Sequence, residues 1–513
     1  MNWVDALVAM IEGGTLLYKV NMWRLLPVLC RRTNDACKRV LQGMLPYQRG
    51  HCINIINTLR LHSRCLDTSV MGSGKTYTAC FVAKQLNVDL VVFGPPLTRN
   101  GWADAARHIG ITDRLEFHSY SEFQRKAKPY LAEITIGDEK RYTATTEWTD
   151  RITTRSTLLA FDESHNLKNN TMRTSCAVAL SQSVIDAGGK VLLLTATPYD
   201  KVEQIVNVAR LLVIVRRSPL IMHIPATGQR IMIGMADLIH YCTRLTGEPI
   251  RYNEHGSADK LTKTLVTKHI KPRLFVEMKP PPKLYNASVA NYFCRVESQN
   301  SIELLRDGVN RLHAGISMTQ SADPAVRAAA LGVITQALQM IEKGKVEIFV
   351  RIAYNKLTTD LSSKVIIMLN YIEPLKEIQA HLGWINPLVI YGQTKQADRD
   401  AALAKFQSQS LAHRLLITNV NMTSTGINLD DREGDRPRLM LVSPSYKTIN
   451  LHQAIGRTDR VTTRSEPVSK YIYARDTSTE LRLLDSLAKK SAVIRSSLQG
   501  RVKFPGDHDV EYE

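Results

Sequence analysis

The chain has 513 residues, enough for two or more domains at roughly 100–200 residues each. With 44% hydrophobic and 22% charged residues it has an ordinary globular composition, which excludes a wholly disordered chain, a collagen-like fibre and a disulfide miniprotein. Its 67 Lys and Arg against 48 Asp and Glu leave a net charge of +19. Cations in that excess favour a polyanionic partner, because neutralising phosphates releases condensed counterions.

The first forty residues are apolar but broken by Asp5, Glu12, Lys19 and Arg24. They lack the basic start of a signal peptide and the apolar run of about 20 residues that a membrane helix needs. The expectation for 1–40 is a packed helical element, in a protein with no membrane partner. The eight cysteines are scattered without a C-x-x-C pair, as expected of reduced core residues in an intracellular protein. Nucleus, cytoplasm and virion are not distinguished. Cys30, Cys37, His51 and Cys52 do not have the spacing of a zinc knuckle.

From 41 to 212, short apolar runs alternate with amphipathic stretches, the pattern of a parallel α/β sheet. Cys65–Val70, Leu90–Pro96, Thr157–Phe161 and Val191–Pro198 read as buried strands. The segment 213–363 reads as mainly helical, with Asp323-Pro324 as an N-cap followed by proline at the first helical position. Strand-like runs return over 364–500, at Lys364–Leu369, Leu388–Gly392, Arg414–Thr418, Leu439–Ser443 and Lys470–Ala474. Residues 501–513 end in GDHDVEYE and read as an acidic, mobile tail. Two parallel-sheet domains leave a ligand crevice beside the carboxyl ends of their strands.

Three stretches carry chemistry. SVMGSGKT, Ser69–Thr76, comes directly after a predicted strand. Gly72 and Gly74 let the loop Met71-Gly72-Ser73-Gly74 turn its N–H groups toward phosphate, Lys75 can reach the β and γ phosphates, and Thr76 can ligate Mg²⁺. The strict loop pattern has Gly where Ser69 stands. FDESH, Phe161–His165, ends another strand; Asp162 can hold Mg²⁺ and Glu163 can handle the attacking water. Taken alone, two acids at a strand end also suit a solvated turn. LHQAIGRTDR, Leu451–Arg460, places Arg457 and Arg460 three apart, on one face if helical. That face could neutralise transition-state charge on a γ-phosphate, or simply be solvated.

Together these motifs resemble superfamily 2 helicases and translocases of the DExH type. Ser69–Thr76 is similar to that family's motif I, in which Ser or Ala replaces the first Gly. DESH, TAT (Thr195–Thr197) and QAIGRTDR resemble motifs II, III and VI, and LPYQ resembles the upstream motif whose glutamine, here Gln48, reads adenine. DESHNLKN, GPPLTRNGW (Gly94–Trp102), PPPKLY, STGINL (Ser424–Leu429) and KYIYARDTSTE look like the Swi/Snf-like branch, which includes the poxvirus-type nucleoside triphosphatases of large DNA viruses.

The resemblance implies two RecA-like lobes with a mainly helical insertion, closing on ATP and Mg²⁺. Nucleic acid would run across both lobes. Lys75, Asp162, Glu163, Arg457 and Arg460 would be catalytic. Thr195, Thr197, Thr425, Gly426 and Gln453 would couple nucleotide state to grip on the strand. DNA is the preferred partner with RNA as the alternative, alongside transcription or replication machinery. A non-hydrolysing binding subunit is disfavoured because every catalytic position is filled.

Overall fold

The computed structural model describes residues 44–124, 130–136, 139–215, 235–250, 257–278, 283–420, 427–475, 477–498 and 505–513. The expected N-terminal element with Cys30 and Cys37, the prolines Pro280–Pro282, and Thr425 and Gly426 lie outside the described residues.

The first lobe is a parallel sheet of β1 (Arg64–Asp67), β2 (Asp89–Gly94), β3 (Leu115–Ser119), β6 (Thr157–Asp162), β7 (Lys190–Leu194) and β8 (Phe275–Val276). Their order across the sheet is β3-β2-β6-β7-β1-β8. An antiparallel hairpin of β4 (Leu131–Ile136) and β5 (Glu139–Ala144) lies apart from it. Alternate residues of the same strands feed two separate cores. Val91, Phe93, Leu159 and Phe161 pack on one face, and Leu90, Val92, Leu158 and Ala160 on the other. A sheet covered on both faces explains why these strands read as unbroken apolar runs rather than alternating ones.

The second lobe repeats the scheme with β9 (Ser288–Cys294), β10 (Lys364–Leu369), β11 (Leu388–Ile390), β12 (Leu415–Asn419), β13 (Arg438–Val442), β14 (Val468–Ala474) and β15 (Asp509–Tyr512). Their order is β11-β12-β10-β13-β14-β9-β15, and every pairing is parallel. Ile366, Met368 and Met440 face one core, while Val365, Ile367 and Leu441 face the other. The two sheets are RecA-like lobes.

Helices beside the strands place the functional side chains. In the first lobe, α1 (Pro46–His62) and α2 (Lys75–Leu86) flank β1. In the second lobe α6 (Thr448–Ile455) comes after β13 and α7 (Ser478–Leu498) after β14. Within the second lobe, between β9 and β10 in the chain, α3 (Gln299–Met318) and α4 (Pro324–Lys343) form a hairpin closed by Leu305, Leu312, Ala337 and Ile341. Asp323 caps α4 by accepting from the Ala325 amide at 2.8 Å. With α5 (Val346–Thr359), this stretch is long and apolar enough to cross a membrane by length and composition alone. Here it is two helices tied to the second lobe at their junction. Lys345 Nζ pairs with Glu480 at 3.3 Å, and Glu342 accepts from the Asn370 and Tyr371 amides.

The structure differs from the sequence expectation at the borders. The segment 213–363 supplies a strand to each sheet, since β8 pairs with β1 and β9 pairs with β14. Both lie toward sheet margins, and β8 is only two residues long. The acidic tail is not a free end. Its residues 509–512 pair with β9, and Glu511 and Glu513 find Lys470 and Arg351. Unpaired backbone groups on the β9 edge and nearby cations give the acidic strand a place to dock.

Candidate active site

The first lobe's sheet order explains why its three motifs meet. Leu194 of β7 stands level with Asp67 of β1 on one side and Asp162 of β6 on the other. The loops that leave these strand ends are therefore neighbours: the phosphate loop after β1, Glu163 after β6 and Thr195 after β7.

The phosphate loop turns on Gly72 and Gly74, with φ of +73° and +87°. These are left-handed values that favour glycine. A Cβ at Gly74 would also collide with Gln48 Nε2. Gln48 sits one turn into α1 and donates to the Ser73 carbonyl at 3.0 Å, while its Oε1 accepts from the Leu45 amide at 3.1 Å. It braces the loop from behind. Lys75 begins α2, and its Nζ donates to the Ser69 and Val70 carbonyls at 2.7 and 3.1 Å. A helix N-terminus after a glycine-turned loop, with a lysine at its first position, makes an anion site.

Asp162 is buried, and its Oδ2 accepts from Trp102 Nε1 at 2.8 Å. Burial, then the charge of Glu163, pushes its carboxyl above the usual carboxylate range, with Trp102, Lys75 and Thr98 opposing. Tyr120 donates to the Asp162 carbonyl at 2.7 Å and fixes the strand end. Glu163 stands at φ +49°, uncommon for a residue with a Cβ. Burial works to raise its carboxyl, but His165, Lys75 and Arg457 outweigh that and hold it low. His165 Nδ1 lies 3.3 Å from Glu163 Oε2 and 3.4 Å from Thr195 Oγ1. Thr195 Oγ1 in turn accepts from the Thr197 amide at 3.2 Å. The two adjacent acids are thus shifted in opposite directions by their surroundings.

The second lobe reaches this cluster through α6 and the turn after it. Gln453 Nε2 donates to Glu163 Oε2 at 3.3 Å across the cleft. A Cβ on Gly72 would collide with the Arg460 guanidinium, and one on Gly456 would come within 2.8 Å of Met71 Cε. The arginines do not share a helical face. The helix ends at Ile455, and turn bonds carry residues 456–460, including Arg457 N to Ala454 O at 3.0 Å and Asp459 N to Ile455 O at 3.2 Å. The turn still brings Arg460 against Gly72 of the phosphate loop and Arg457 within electrostatic reach of Glu163. Arg457 is only 5% exposed, and the Nε atoms of Arg457 and Arg460 have no partner among the described residues. Burial and the neighbouring Arg460 bring the Arg457 guanidinium down to about 9 against the pull of Glu163, so it is charged at neutral pH.

Buried guanidinium groups with N–H donors to spare, facing a phosphate loop, fit a polyphosphate. Thr76 and Asp162 would hold Mg²⁺, which when bound neutralises phosphate oxygens. Sequence motifs did not single out Trp102, Tyr120 and His165 as supports. Trp102 lies in GPPLTRNGW, a stretch notable for its resemblance but without a task of its own in the sequence. Thr425 and Gly426 lie outside the described residues, just before Leu429, whose amide donates to the Arg457 carbonyl at 2.9 Å.

Residues 344–462 match the helicase conserved C-terminal domain family. The chain is a helicase-type, nucleic-acid-dependent ATPase. A protein of Acanthamoeba polyphaga mimivirus named "Putative ATP-dependent RNA helicase L364" is 24% identical over 496 residues, covering 89% of this chain and 84% of its own. Both findings support placement in superfamily 2. Among solved structures, the C-terminal part of the Fun30 ATPase domain matches 40% of this chain and 89% of its own, at 12% identity and TM-score 0.30.

Proposed function

We propose that this helicase-type ATPase is a motor of the Swi/Snf-like branch, coupling ATP hydrolysis between its lobes to translocation on DNA or to its unwinding. The observation that carries the reading is the contact across the cleft. Gln453 reaches Glu163 and Arg460 covers Gly72, so closure of the second lobe completes the site on the first. Lys75 neutralises the β and γ phosphates, Asp162 with Thr76 holds the metal, and Glu163 orients and deprotonates water. Arg457 and Arg460 stabilise transition-state charge. Thr195 and Thr197, linked to Glu163 through His165, relay the state of the γ-phosphate to the strand-gripping face, with Thr425 and Gly426 as their counterparts on the second lobe. Partners in transcription or replication are consistent with such a motor.

A second reading, an RNA helicase acting on transcripts, is favoured by the name of the mimivirus relative. ATP turnover measured with duplex DNA, single-stranded DNA and RNA as activators decides between them. Stimulation by duplex DNA supports the translocase, and stimulation by RNA alone supports the second reading. No stimulation by any nucleic acid would remove both. Binding should be phosphate-driven, with log affinity falling against log salt at a slope of about 0.9 per phosphate neutralised on duplex DNA.

A further inference from the structure

Asp162 is held on more sides than the end of a strand requires. Trp102 stands in the helix Arg99–Ile109, fully buried in a core that includes Phe117 and Ala160. Its indole has one N–H, and that donor goes to Asp162 Oδ2 at 2.8 Å. A buried indole N–H needs an acceptor, and here the acceptor is the carboxylate at the end of β6. The seat around it is tight. A Cβ on Gly94, at the end of β2, would come within 3.1 Å of Asp162 Cβ and 3.3 Å of Thr98 Oγ1. Tyr120 holds the backbone of the same residue through its carbonyl. Neither the carboxylate nor the strand end is left free to turn.

A cation beside this carboxylate finds few other oxygens on the protein. Among the described residues, no group of three His, Cys, Asp or Glu side chains could hold a metal ion by itself. The neighbouring acid is engaged elsewhere, since Glu163 Oε2 lies 3.3 Å from both His165 Nδ1 and Gln453 Nε2. With Oδ2 given to the indole, Asp162 has Oδ1 to offer. Two common divalent ions differ in what they gain from that. Mg²⁺ demands octahedral geometry, keeps several waters and is held through few carboxylates plus phosphates, whereas Ca²⁺ takes about six to eight oxygens and accepts both oxygens of one carboxylate.

We propose that Trp102 is a positioning residue for the metal site: by occupying Oδ2 it keeps Asp162 a one-oxygen ligand, and so selects Mg²⁺ over Ca²⁺ as the ion that accompanies the nucleotide. The indole suits this task because it donates only and does not titrate. The proposal rests on the reading of the cleft as the ATPase site.

The test is calorimetric binding of a non-hydrolysable ATP analogue to the full chain, with Mg²⁺ or Ca²⁺ at a concentration that complexes all the nucleotide. Wild type should bind roughly tenfold tighter with Mg²⁺, and Trp102→Phe should lose on the order of tenfold with Mg²⁺, the usual cost of removing a group that orients a metal ligand. With Ca²⁺ the same variant should change little, so the preference disappears. Tyr120→Phe, which frees the Asp162 carbonyl but not its carboxylate, should keep the wild-type ratio. Because Phe leaves space in the core, β-(benzothiophen-3-yl)alanine at position 102 is the second variant. It keeps both rings, lacks only the N–H, and should behave as Trp102→Phe does. An unchanged ratio in either folded variant, equal loss with both ions, the same collapse in Tyr120→Phe, or a wild type without preference overturns the role of Trp102 and leaves the ATPase reading standing. A wild type that binds nucleotide with neither ion overturns both.

Discussion

The two sides of the cleft meet their polar needs in different ways. On the first lobe, Lys75 bonds to Ser69 and Val70, Gln48 to Ser73 and Leu45, and Asp162 to Trp102, all within the lobe. On the second, Arg457 and Arg460 keep Nε atoms without partners among the described residues; the acid near Arg457 is Glu163 of the other lobe, while Arg460 has Asp430 and Asp459 of its own lobe nearby as well as Glu163. A self-satisfied half can be built and hold its shape alone. A half with unspent donors gains most from a polyanion placed between the lobes, and that difference makes closure responsive to ligand.

The sharpest break of this comparison comes at Lys75. Its bonds are to loop carbonyls, so Lys75→Ala should fold normally and melt close to wild type while ATP hydrolysis is abolished. Wild-type turnover in a folded Lys75→Ala protein would remove the phosphate loop from the mechanism. The next largest effect separates the two acids. Glu163→Gln keeps shape and loses the base, so Mg-ATP should still bind, hydrolysis should nearly stop, and the ATP-induced change in nucleic-acid affinity should persist. Asp162→Asn should instead weaken the Mg²⁺-dependent ATP complex and lose that response. Binding of each variant to nucleic acid with and without Mg-ATP reads the difference, and identical behaviour would mean the roles are divided wrongly.

Arg457→Ala tests the other half of the comparison. A residue that acts only across the closed cleft should cost turnover far more than affinity, on the order of 10³ in kcat for an arginine finger. Loss of ATP affinity with turnover intact would place Arg457 in ground-state binding instead.

Much of this was legible in the sequence because its chemistry is local. The strand-like apolar runs fall on β1, β2, β6, β7, β10, β11, β12, β13 and β14, since strands buried on both faces must be apolar throughout. The phosphate loop and the acid pair were readable because a short motif defines its own geometry. What was not legible depends on contacts between distant segments. β8, β9 and β15 are strands because a sheet margin was available to them. The Met278 bond to Ser69 spans 209 residues, and no spacing rule reports it. The helical face that Arg457 and Arg460 would share if helical does not form, because the helix stops at Ile455. Spacing alone does not distinguish a helix from the turn that ends it.

The smallest expected effect concerns the margin of the first lobe alone. Glu116 on β3 faces His118 on its own strand, and Tyr130 and Arg151 from the hairpin and helix packed beside it. Burial works to raise its carboxyl, but His118, Tyr130 and Arg151 outweigh this and hold it at about 2 against an ordinary 4.5. A carboxyl depressed in the folded state binds fewer protons there than in the unfolded chain. Its stabilisation is therefore complete above pH 4.5 and is lost as pH falls toward about 2. Calorimetric melts of wild type and Glu116→Gln should differ most at neutral pH and converge through that window. Other carboxylates titrate in both proteins, so the difference between the two curves isolates Glu116. If the lobes melt in separate steps, only the first lobe's step should carry that difference. Two melting curves that run parallel down to about pH 2 would show that the Glu116 cluster stabilises the fold equally in both protonation states, and the electrostatic account of this margin would fail.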